Sequence, residues 1–224
     1  MAQAANSEPR IDPDGDLVIA VDGPAASGKG TIARALAKHF GLPHMDTGLL
    51  YRAVALNLLQ MGGDPSSEFE AVRACEIAQI DPDDPELRSQ VVSSIASRIS
   101  SYARVRTALL DRQRQFASQE GGAVLDGRDI GTVIAPHATV KLFVTATPEV
   151  RAGRRMKELQ QRGMTAHFAD VLADIKARDE RDSTREVAPL KQAADAILLD
   201  TSGFDVEGAI AEALRLVEER LAEA

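Results

Sequence analysis

Apolar residues along this chain follow two rhythms. Short runs at 17–21, 43–45, 123–125, 140–144 and 196–199 are too brief for helices, and all but the second are rich in Val, Ile and Leu. Such runs are expected of strands buried on both faces. Between them, apolar residues recur every three or four positions over 29–40, 49–60, 69–78, 86–119 with a break near Ser100, 148–162, 166–182 and 206–222, which is the helical period. Pro148 in a first turn, preceded by Thr147 as N-cap, marks one boundary. Strands alternating with helices predict an α/β fold with a five-stranded parallel sheet flanked by helices. Residues 1–16 are polar, carry Pro9, Pro13 and Gly15 and lack apolar periodicity, so a flexible tail is expected there, followed by a single domain over 17–224.

Four of the five strands end in or just before an aspartate: Asp22, Asp46, Asp126 and Asp200. Ligands of open parallel sheets bind at the carboxyl edge of the strands, so Asp22, Asp46 and Asp126 are expected to face a site, while Asp200 simply ends its strand.

The strongest chemical signal follows the first strand. Gly23, Pro24, Ala25, Ala26, Ser27, Gly28 and Lys29 spell G-x-x-x-x-G-K between an apolar strand and an amphipathic helix, the context a phosphate-binding loop requires. Glycines let successive backbone N–H groups converge on phosphate oxygens, the helix N-terminus adds a favourable dipole, and Lys29 reaches the β- and γ-phosphates. The frame normally continues with Ser or Thr, but here Gly30 intervenes before Thr31. The hydroxyl that usually ligates Mg²⁺ is thus displaced by one residue, and Asp22 or Asp126 is expected to hold Mg²⁺ through water instead, since Mg²⁺ commonly keeps several waters. The Gly-Lys-Gly-Thr ending resembles the nucleoside monophosphate kinases.

Composition sharpens the picture. With 224 residues, 44% of them apolar, the chain has material for a sizeable core. Its net charge of −8 argues against broad nucleic-acid binding. Yet 20 of its 26 basic residues are Arg, the side chain whose planar fork grips phosphate. A high-GC coding bias also enriches Arg, so position must decide. The single cysteine, Cys75, forbids an intramolecular disulfide and fits a reducing compartment. The first residues show no secretory pattern, and no apolar run nears the ~20 residues of a membrane span, so a cytoplasmic location with no membrane partner is expected. His39, His44, His137 and His167 form no metal pair at helical spacing and are expected to be structural or surface residues.

After the second strand, Met45, Asp46, Thr47, Gly48, Leu49, Leu50, Tyr51 and Arg52 give D-[ST]-G-x-x-Y-R. Together with the phosphate loop this resembles the bacterial cytidylate kinases. The resemblance continues through Arg104-Val105-Arg106, Arg112-Gln113-Arg114, the D-G-R-D-I-G-T run from Asp126 to Thr132, Arg154-Arg155-Met156 and the segment 175–182, covering about 17–200. It implies ATP and CMP or dCMP as substrates with Mg²⁺, and a monophosphate-binding lobe over about 47–115 with a lid over about 148–168. A monomer is expected.

The chemistry can also be read directly. An acceptor monophosphate must be brought against the γ-phosphoryl group of a donor, and cations must offset the repulsion. Arg52 and Arg128, each just past a strand, can converge near Lys29, with Thr47 donating a hydroxyl to the same phosphate. Cytosine offers an N4 amino donor beside acceptors, so its reader needs a carboxylate and a cation or hydroxyl. By resemblance these are Asp129, Arg106 and Ser97, although Ser93, Ser94, Ser100 and Ser101 crowd the serine assignment. Tyr51 belongs to the same acceptor motif. Arg178 and Asp182 lie on one helical face, where they imply ribose contacts or a simple ion pair, and Arg185 follows closely. Arg151, Arg154 and Arg155 start a helix that the resemblance makes the lid, with Gly153 and Gly163 as flexing points. The segment 61–88 departs from the family pattern, because an inserted sheet common there is shortened or absent. Two alternatives stay open at this point: a kinase for UMP or another small acceptor, and a regulatory nucleotide switch, for which no guanine-reading N-K-x-D motif is present.

Overall fold

The five apolar runs become the strands of one all-parallel sheet: β1 (Val18–Asp22), β2 (His44–Asp46), β3 (Ala123–Gly127), β4 (Val140–Thr145) and β5 (Ile197–Asp200), ordered β2-β3-β1-β4-β5. The structure is a computed structural model that describes residues 16–76, 81–82 and 84–223. The expected tail, apart from Asp16, lies outside the described residues, as do the last two positions of the helix expected over 69–78. β1 and β3 are buried at every position, whereas β2 and β5 are not. The latter two are the sheet edges, and Leu198 on β5 is 55% exposed. Apolar run length therefore foretold the strands but not which of them are central.

Alternation along β1 assigns the two faces. Ile19 and Val21 pack with Ile32 and Leu36 of α1 (Lys29–Phe40) and with Ala213 and Val217 of α8 (Val206–Ala222). Val18 and Ala20 face Ala117 of α5 (Ala103–Ala117) and the single π-helical turn Ile130–Ile134. Each fully buried Ile or Leu contributes about 1.5–3 kcal/mol of transfer free energy. A separate apolar cluster joins α2 (Thr47–Gln60), α3 (Glu68–Arg73), α4 (Gln90–Ile99) and α5 around Val54, Leu58, Ile99 and Val105. The last cluster pins α6 (Pro148–Gln161) and α7 (Phe168–Thr184) together through Ala152, Leu159, Val171 and Ile175.

Local chemistry explains the boundaries. Thr147 caps α6 by accepting from the Val150 N–H at 3.3 Å, with Pro148 in the first turn. The segment 86–119 divides because Pro85 opens a short 3₁₀ turn over Pro85–Arg88, Ser89 caps α4, and Ser100 to Tyr102 separate α4 from α5. α2 starts at Thr47, two residues earlier than its apolar pattern, since Asp46 takes the extended N-cap position. No helix among the described residues is long and apolar enough to cross a membrane.

Candidate active site

Strand register builds the floor of the site. Asp46 on β2 pairs with Asp126 on β3, and Asp22 on β1 with Gly127, so the carboxyl ends of the three strands stand side by side. Over this edge lies a cavity of about 690 Å³, walled by the phosphate loop, α2, α4, the segment after β3, and α6–α7.

The phosphate loop turns sharply at Gly23, whose φ is +156° and where a Cβ would stand 2.0 Å from the Val144 carbonyl oxygen. Only glycine fits that approach. Ala25, Ala26 and Gly28 to Thr31 line the cavity, while Gly23, Pro24 and Ser27 support them from behind, Ser27 being fully buried. Lys29 Nζ lies 3.5 Å from the Pro24 carbonyl. Burial, and then the neighbouring Arg128, lower its pKa to about 8.

Two carboxylates face the cavity from the floor. Asp126 Oδ1 is 2.8 Å from His44 Nε2, and a Cβ on Gly30 would sit 3.6 Å from Asp126 Oδ2, so the missing side chain leaves that oxygen room. Asp46 is pushed above the ordinary carboxylate range by burial and by Asp126. Asp22 behaves differently from expectation. Both its oxygens accept backbone N–H bonds, from Ile130 and Gly131, and it does not line the cavity. Asp126 and Asp46 therefore line the cavity, whereas Asp22 is taken up by backbone amides. No cluster of three or more metal-binding side chains occurs among the described residues.

Cations crowd the centre. Arg128 donates through Nε to Asp182 at 2.8 Å, and burial, which would lower its pKa, is outweighed by that carboxylate. Asp182 in turn is pushed up by burial but held below the usual range by Arg128. Arg52 donates to the Leu87 carbonyl at 3.3 Å and is lowered by burial. Arg178 does not pair with Asp182. Its buried Nε has no hydrogen-bond partner among the described residues, and burial plus Arg128 lower its pKa to about 10. Arg155 lines the same space and donates to Glu158 at 2.7 Å. Thr47 corrects another expectation: its hydroxyl donates to the Asp126 carbonyl at 2.8 Å, so only its lone pairs remain for a ligand.

A second ionic group lines the same cavity. Asp129 is held by Arg106, in a short ion pair, and by Arg185 at 3.4 Å. Arg106 lies over the Tyr51 ring at 5.7 Å and donates to the Ser100 carbonyl at 3.3 Å. Ser97 Oγ accepts from Arg181 at 2.6 Å. Arg181 and Glu158 line the cavity without having been singled out from sequence. For Arg181 the signal was present, since it stands three residues after Arg178 on α7 and four before Arg185. His44, expected to be structural, touches a site carboxylate because β2 ends at the cavity floor.

Two of the expected lid arginines serve the scaffold. Arg151 is 3% exposed and donates to both Asp179 oxygens at 2.9 and 2.5 Å, to the Ala146 carbonyl at 2.9 Å and to the Ala25 carbonyl at 3.1 Å. Arg154 donates to the Ser27 carbonyl at 3.2 Å and to Thr201 Oγ1 and O at 2.9 and 2.7 Å, and it does not line the cavity. Both are hydrogen-bonded to the backbone of the phosphate loop, which the helical pattern of α6 did not reveal.

Comparison with known proteins agrees with this arrangement. The model of the cytidylate kinase family matches residues 19–219. A cytidylate kinase of Xanthobacter autotrophicus is 57% identical over 208 residues, 92% of this chain and 99% of that one. A cytidylate kinase of a Bradyrhizobium species is 57% identical over 206 residues, 90% of this chain and 96% of its own. An uncharacterized protein from Eubacterium ventriosum, 14% identical, superposes with a TM-score of 0.54 over 91% of this chain and 99% of that one, a likeness of fold alone. With the family model spanning nearly the whole chain and such relatives matching along their full length, this chain belongs to the cytidylate kinase family.

Proposed function

We infer that the chain transfers the γ-phosphoryl group of ATP to CMP or dCMP, releasing ADP and CDP or dCDP. The observation that carries this reading is the pairing of two readers on adjacent residues. Arg128 faces the cation cluster beside Lys29, and Asp129 is locked between Arg106 and Arg185 on the neighbouring wall. A phosphate bound at Arg128 and a base amino group bound at Asp129 belong to one small molecule.

In this reading the residues 23–31 cradle the ATP phosphates, and Lys29 bridges to the transferring group. Arg52 and Arg128 hold the acceptor phosphate so that one of its oxygens attacks the γ-phosphorus while the bond to the ADP oxygen breaks. Arg155 adds positive charge from the lid side. Each such cation contributes about 10²–10³ in rate when correctly placed. Asp129 accepts from the cytosine amino group, Arg106 and Ser97 complete base recognition, and Arg178 and Asp182 take the ribose, with Tyr51 and Arg185 supporting them. Asp126 and Asp46 would hold Mg²⁺ through its waters, near Thr31. When bound, that ion neutralises charge shared by the β- and γ-phosphates. The segment 47–115 serves as the monophosphate lobe and 148–168 as the lid. The substrates together with the single cysteine support a cytoplasmic location.

The test is ADP release against CMP, dCMP, UMP, AMP and GMP, in the wild type and in Asp129→Asn. An ionised Asp129 only accepts hydrogen bonds, which suits the amino group of cytosine and opposes the carbonyl of uracil. CMP should be preferred over UMP by about 5- to 150-fold in kcat/KM, the equivalent of about 1–3 kcal/mol. Asp129→Asn should narrow that ratio, mainly by harming CMP. An unchanged ratio with both activities reduced equally would move base recognition to Arg106 and Ser97.

A further inference from the structure

Asp22 is a buried carboxylate that the transfer chemistry does not touch. It ends β1 and immediately precedes Gly23, yet it points away from the phosphate loop. Its Oδ1 accepts from the Ile130 N–H and its Oδ2 from the Gly131 N–H, both at 2.8 Å. Those two amides directly follow Arg128 and Asp129. Gly131 packs tightly against this anchor. A Cβ there would lie 3.0 Å from the Lys141 stem and 3.4 Å from Asp22 Oδ2, so the turn has no space to slide. The charged groups around Asp22 are Asp129, which raises its pKa, and Arg128, which lowers it, while the Lys141 ammonium is engaged by Asp195 at 2.7 Å.

We propose that Asp22 is a positioning residue: by holding the Ile130 and Gly131 amides it fixes Arg128 and Asp129 against the acceptor, and ties their placement to the strand that carries the phosphate loop. The proposal rests on the reading of Arg128 and Asp129 as acceptor contacts. Burial pushes the Asp22 carboxyl up to about 6, against the pull of the two backbone bonds. At neutral pH it is ionised, and both oxygens accept. An asparagine offers one acceptor and turns an NH₂ group toward the second amide, so one of the two bonds must be lost. Ile130 and Ile134 also pack against Val18 and Ala20 of β1, but it is Asp22 that takes up the first two amides of the turn.

The experiment measures kcat/KM for CMP at saturating ATP and Mg²⁺, and the Kd for ATP, in Asp22→Asn, Arg128→Ala and the double variant. Misplacing a reacting group by about 1 Å costs about 10² in rate, so Asp22→Asn should lose about 10- to 100-fold in kcat/KM with ATP affinity within about twofold of wild type. Because Asp22 acts through Arg128 and Asp129 together, the loss in the double variant should fall well short of the product of the two single losses. Multiplying losses, or an ATP Kd that weakens as much as kcat/KM falls, would overturn the proposal. Should Asp22→Asn not fold, amide exchange of Ile130 and Gly131 in the wild type decides. Slow exchange without nucleotide is expected, and exchange as fast as an open loop sinks the idea. The exchange result is independent of substrate, so a wild type inactive on CMP would discard the functional reading without being mistaken for failure of the anchor.

Discussion

Lys29 shows what burial does to a phosphate-loop cation before its ligand arrives. Desolvation and Arg128 bring its pKa to about 8, so in the empty protein a fraction of the side chain is neutral near physiological pH. A bound polyphosphate restores the charged form, and ATP binding must then take up protons. At pH 8 the uptake should be about half a proton, and ATP affinity should fall up to tenfold per pH unit above about 8. Calorimetry in two buffers of different ionisation heat measures this, and Lys29→Met should abolish both the uptake and the transfer activity. Proton-neutral binding in the wild type would mean that Lys29 is already fully charged. At this scale the sequence was legible wherever a motif fixes both residue type and backbone path, as in the phosphate loop and in Arg128-Asp129. It misled where a polar group meets backbone. Thr47, Asp22 and Arg154 are all spent on carbonyls or amides of remote segments, and spacing carries no record of such partners.

The same lesson recurs in whole elements. Helix α6 carries three arginines within five residues, and the resemblance assigned all three to the lid. The structure divides them: Arg151 and Arg154 reach the phosphate-loop backbone, Arg155 the cavity. Arg155→Ala should therefore lower kcat by about 10²-fold with little change in Tm. Arg151→Ala should remove about 1–3 kcal/mol, discounted because Asp179 is partly solvated, and lower Tm by about 3–10 °C. Thermal melts beside steady-state kinetics separate the two, and a reversed pattern would return Arg151 to the chemistry. Strand and helix order were readable because each element has a buried face with its own period. Element ends were less so: the break expected near Ser100 is present, but α2 begins on Asp46 as cap and the start of the 86–119 stretch is a 3₁₀ turn opened by Pro85, with the helix beginning only after Ser89.

On the scale of the whole molecule, a chain of net charge −8 gathers Lys29, Arg52, Arg128, Arg155 and Arg178 around one cavity. Burial penalises the charged forms of Lys29, Arg52 and Arg178, whereas Asp182 more than offsets the burial of Arg128, and Arg178 Nε has no hydrogen-bond partner among the described residues. The lowering of the Arg178 pKa to about 10 expresses that cost, which a bound phosphate and ribose would offset. Replacing Arg178 by methionine keeps much of the stem volume and removes the charge, so the empty protein should become more stable by about 1–3 kcal/mol. The gain should disappear with substrate. CMP at about 100 times its Kd stabilises the wild type by about 2.7 kcal/mol, a rise of about 5–10 °C in Tm for a chain of this length. In Arg178→Met the same CMP concentration should raise Tm by far less. Melting curves of both proteins with and without CMP test the argument. An Arg178→Met protein less stable than wild type when empty would show that Arg178 supports the fold, and that the cation cluster is not held against its own repulsion.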